Sequence, residues 1–64
     1  MRLKSDQLDS LKSKSPEGVY QAVRDIVRLE IGVVDRRELA EALDDAVEAG
    51  IVDEREIRRL TLDD

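Results

Sequence analysis

Two stretches of this chain, Leu29–Leu39 and Val47–Ile57, spell one pattern eighteen residues apart: apolar, Glu, apolar, Gly, apolar, Val, Asp, charged, Arg, Glu, apolar. Each position has a local physical role. Gly32 and Gly50 can adopt the left-handed conformation that closes a helix C-terminus without a side chain to strain. Val33 and Ile51 follow at the position where a Schellman ending folds an apolar residue back onto the last turn. Asp35 and Asp53 then stand as N-caps, with Glu38 and Glu56 three residues on, a capping-box variant. Val34 with Leu39, and Val52 with Ile57, occupy the two positions of a hydrophobic staple. The pattern therefore encodes a helix stop, a two-residue bend and a restart, written twice. It predicts that the flanking helices meet in the same way at both joints.

The rest of the chain supplies helices for these joints to connect. "SDQLDSLKS" reads as a short first helix, with Ser5 as its N-cap and Leu8 and Leu11 on one side. "KSPEGVYQAVRDIVRLEIG" is the strongest segment. Ser15 caps it, Pro16 fits the first helical position and Glu17 complements the dipole. Val19, Val23, Ile26, Val27 and Ile31 recur near helical spacing, and Tyr20 and Leu29 widen the apolar arc. A third helix runs from Arg36 to about Ala49, burying Leu39, Leu43, Ala46 and Val47 and turning Glu41, Asp44, Asp45 and Glu48 to water. Arg37 and Glu41 are placed to pair across its first turn. A fourth, short helix follows Asp53, with Ile57 and Leu60 inward. Residues 1–4 and 61–64 are expected to fray. No stretch alternates with a two-residue period, although "RRLTLDD" leaves room for a hairpin strand over 51–62.

The expected fold is thus all-α: a bundle of three main helices plus a short N-terminal one, residues 1–64 forming a single domain. Sixty-four residues with no cysteine lie near the lower limit for a core that folds unaided. A core of this size contributes about 3–5 kcal/mol net, so local capping signals carry unusual weight. No apolar run approaches the roughly 18–20 residues of a membrane span. "MRLKSDQLDS" has no apolar signal-peptide stretch, so the expected location is the cytoplasm, away from membranes.

Charge separates along the chain. Residues 1–37 are net +2 and residues 38–64 net −7, giving −5 in total. A nucleic acid would meet a repulsive field over the whole C-terminal half.

Two resemblances are carried by the joint regions. Around Gly50, residues Asp45, Val52, Asp53 and Glu56 fall on positions 1, 8, 9 and 12 of a loop that is similar to an EF-hand, which would imply calcium binding. Positions 3 and 5 are Val47 and Ala49, which offer no side-chain oxygen, so the ligand set is incomplete. "RRELAEALDDAVEAGIVDEREIRRLTL" resembles the last helix and wing of winged-helix proteins, which would imply DNA binding with Arg36 and Arg37 on phosphates. Carboxylates on the exposed face of the third helix oppose that role.

Catalysis has little to work with. The chain has no His, no Cys and no glycine-rich phosphate loop. Its serines have no base to activate them, and Asp44 and Asp45 point about 100° apart on their helix. The expectation is a non-enzymatic protein–protein interaction or regulatory module, with no cofactor, no metal and no small-molecule substrate. Its partner is another protein or its own copy, as in a homodimer. Tyr20, Val23 and Val27, on the wide arc of the second helix, are the candidate contacts, unless Leu3, Leu8 and Leu11 cover that arc.

Overall fold

The computed structural model describes residues 1–62. Four helices follow in order, α1 (Ser5–Leu11), α2 (Pro16–Ile31), α3 (Arg36–Glu48) and α4 (Glu54–Leu62), and the described residues contain no strand. This is the helical bundle the periodicity predicts. The hairpin alternative for 51–62 is excluded by α4, which continues through Thr61 and Leu62 where fraying was expected; Asp63 and Asp64 lie outside the described residues.

One core joins all four helices. Leu11, Val19, Val23, Val27 and Leu43 are its largest fully enclosed side chains, and Leu39, Ala42, Ala46 and Val52 complete it from the α3 side. Each such aliphatic side chain contributes about 1.5–3 kcal/mol by leaving water. Leu3 and Leu11 are buried and Leu8 packs on the same cluster, so the N-terminal segment does cover the α2 arc. No buried side-chain polar atom among the described residues lacks a partner.

The helix starts follow the sequence closely in three places. Ser15 Oγ accepts from the Gly18 N–H at 3.2 Å with Pro16 first in the helix. Asp35 accepts from Arg37 and Glu38 N–H at 2.8 and 3.4 Å, and Asp53 from Arg55 N–H at 3.1 Å. Ser5, by contrast, is the first residue of α1 and not its cap. Lys4 holds the cap position, its N–H donating to Gln7 Oε1 at 2.9 Å.

Residues 1–4 are docked, not frayed. The Leu3 N–H donates to the Asp45 carboxylate at 2.9 Å, and the Met1 amine pairs with both Glu38 and Glu41. Three expectations change as a result. Asp45 does not face water but is largely enclosed, its side chain 17% exposed, with Arg2 Nε 3.9 Å away. Glu41 pairs with the amine and not with Arg37. Glu38 turns to the same amine, so the reciprocal half of the capping box is missing, as it is at Glu56 among the described residues. The two glutamates, Glu38 first, raise the Met1 amine pKa above its ordinary 8.0 by bonding its charged form.

Candidate functional site

The two glycines behave alike and their joints do not. Gly32 and Gly50 both have positive φ, 94° and 76°, and a Cβ at either would meet only open space. Backbone conformation alone demands glycine there. At the second joint Ile51 N–H returns to Ala46 O and Gly50 N–H to Val47 O, both at 3.0 Å. That pair of bonds is a full Schellman motif. At the first joint only one bond closes the helix, Gly32 N–H to Arg28 O at 2.8 Å, the simpler left-handed ending.

Exposure follows the hydrogen bonds. Ile51 is half-buried on the core and Val52 is 9% exposed. Their counterparts Val33 and Val34 are 62% and 37% exposed. Leu29, expected to widen the buried arc, is 85% exposed, because two positions beyond Val27 is about 200° around the helix. Ile31 at the helix end is also open. All the exposed large apolar side chains among the described residues therefore lie within Leu29–Val34, forming an apolar apex at the α2–α3 joint.

Beside the apex an open groove of about 640 Å³ runs between α2, α3 and α4. Val34 belongs to both. Among the described residues, Tyr20, Leu39 and Leu43 are its nearly buried apolar lining, and Arg24 and Arg36 its charged residues. The Arg24 guanidinium lies over the Tyr20 ring at 5.8 Å from its centroid, a cation–π contact that holds it along the groove. Neither arginine has a carboxylate oxygen within 4 Å among the described residues.

The candidate contacts read from the sequence stand elsewhere. Val23 and Val27 are fully enclosed and Tyr20 is 6% exposed, so all three serve the interior and cannot lead a contact from the folded chain. The wide arc on α2 is core because α1 and Leu3 close over it. Sequence reasoning missed the apex: Leu29 could be read as off the buried face, but Ile31 keeps helical spacing from Val27 and is open all the same.

The residues of the calcium-loop resemblance have other occupations. Asp45 binds the N-terminal segment and Asp53 caps α4. No cluster of three or more acidic side chains suited to a metal is found among the described residues. Arg36 opens α3 at the groove, while Glu41, Asp44 and Glu48 are exposed further along that helix. No helix among the described residues is long and apolar enough to cross a membrane. The chain matches no protein-family model, no curated protein and no solved structure.

Proposed function

We propose that this chain is a small non-enzymatic module for protein–protein contact, working in the cytoplasm, and that Leu29, Ile31, Val33 and Val34 centre its contact surface. One observation carries the reading: the exposed large apolar side chains gather in six consecutive residues. Single exposed apolar residues need no explanation, whereas four within one six-residue joint do. The second joint supplies the physical contrast. Its near-identical sequence packs Val47, Ile51 and Val52 onto the core while Ala49 stays exposed, so exposure of Leu29, Val33 and Val34 at the first joint is not forced by the local sequence.

A standard interface takes about 800 Å² from each partner, roughly one sixth of this chain's 4716 Å². Four side chains are too few to make that alone and suffice as its water-excluded centre. The acidic outer face of α3 keeps nucleic acid outside this proposal.

The test is crosslinked affinity capture from host lysate, run beside sedimentation over a concentration series. Parent chain and a Leu29→Ser/Val33→Ser double variant are compared. A captured protein, or a self-associated species, should disappear with the double variant while the thermal melt stays unchanged. A contact indifferent to both substitutions, or no contact at all, overturns the reading.

A further inference from the structure

Residues 1–3 are held to the fold by carboxylates and one apolar side chain. Among the described residues, no backbone–backbone hydrogen bond reaches them. Their acceptors form one stripe on α3: Glu38 and Glu41 on the Met1 amine, and Asp45 on the Leu3 N–H at 2.9 Å. Spacings of three and four residues put these acids on one face of the helix. Arg2, its Nε 3.9 Å from Asp45, brings the segment's other positive charge to the same stripe. The Leu3 side chain, 8% exposed, is the apolar anchor. Helix α1 is closed without the segment, since the Lys4 N–H donates to Gln7 Oε1 and the Leu8 N–H to Lys4 O, both at 2.9 Å. Residues 1–3 can therefore leave α3 without unmaking the first turn of α1.

We propose that residues 1–3 form a strap whose hold on α3 depends on the positive charge of the Met1 amine, and that neutralising the amine releases the strap while the four helices stay folded. An acyl group on the amine, or any residue joined ahead of Met1, turns the nitrogen into an amide. It then carries no charge and keeps one N–H in place of three, too few to serve both carboxylates. No other carboxylate of the described residues lies within 4 Å of the amine to restore the hold. Glu38 and Glu41 raise its pKa above 8.0, so at neutral pH the free amine is charged and the strap is docked. Exposed ion pairs are individually weak, so the strap opens far more readily than the core. Release takes Leu3 out of the core cluster and widens the cleft it lines with Leu8, Asp45 and Ala49.

The test compares the chain with a free Met1 amine, its Nα-acetylated form made by chemical synthesis, and a Glu38→Gln/Glu41→Gln variant. Amide exchange at Leu3 and Val23 is followed by NMR at increasing urea. Each Leu3 rate is referred to an unstructured peptide with the same N-terminal group. In the free-amine chain Leu3 should exchange faster than Val23 and with little urea dependence, as a local opening does. Acetylation should lower Leu3 protection at least about threefold, as expected for losing two exposed charge pairs, and keep the flat urea response. The double variant should show the same loss with its amine free, and acetylating it should change nothing further. Leu3 protection indifferent to acetylation overturns the inference. Leu3 exchange that matches Val23 in rate and urea slope also overturns it, because the strap then opens only with the whole fold. So does a further, undiminished loss when Glu38→Gln/Glu41→Gln is acetylated, since the two carboxylates are then not what holds the amine.

Discussion

The first and second joints share ten chemically matched positions around one glycine, yet one is sealed and the other open. The difference lies in where each helix stops relative to the core. The last fully buried residue of α2 is Val27, a full turn before its end at Ile31, and positions 28–31 are all exposed. In α3 the buried Ala46 lies two residues from the end at Glu48. At 1.5 Å per residue, α2 overshoots the core by about 6 Å. Its joint closes in water, where folding Val33 back gains little, and one hydrogen bond suffices. The α3 joint closes over the core, where Ile51 has something to pack on and the second Schellman bond is worth making.

The largest expected effect tests this account at the glycines. Gly50→Val forces a β-branched residue into the left-handed region inside a doubly bonded frame, and should cost about 3 kcal/mol, near the top of the usual range for such strain. Gly32→Val faces equal local strain in a frame free to relax, and should cost measurably less by urea denaturation. Equal losses would break the contrast between the joints. Next in size, Val52→Ala should cost about 2 kcal/mol from lost burial and its cavity, against under about 1 kcal/mol for Val34→Ala. A reversed order in the same denaturation series would place the core on the wrong side of the molecule.

The smallest effect separates Glu38 from its counterpart Glu56. The Met1 amine is bound by Glu38 and Glu41, and its pKa is raised above 8.0. A group with a raised folded pKa stabilises fully below its unfolded value, and that contribution fades as pH climbs through the folded one. Stability should therefore fall slightly as pH rises above 8.0. Glu38→Gln should flatten that slope and Glu56→Gln should not. Following the urea midpoint against pH for both variants decides it, and a slope that survives Glu38→Gln removes the pairing.

The elements and their junctions were legible because they rest on neighbours within five residues: Ser15 with Gly18, Asp35 with Arg37, Gly32 with Arg28. What could not be read was anything decided forty residues away. Asp45 looks like a solvent-facing carboxylate until Leu3 arrives at its oxygen, and Glu41 pairs with a residue far behind it in the chain. Tyr20, Val23 and Val27 were placed on the right helix face, but which element covers that face is a tertiary fact. The apex has the same origin, since nothing local tells α2 that its core ends one turn early.

The bond from Leu3 to Asp45 also constrains the order of events in synthesis. Helix α1 has seven residues and cannot persist alone in water. The acceptor on α3 that holds Leu3, just ahead of it, does not exist until residue 45 has left the ribosome. The segment translated first is thus fastened late, and until then the α2 face bearing Val23 lacks its cover. Until that bond forms, Leu3 has no fixed place in the core it later joins.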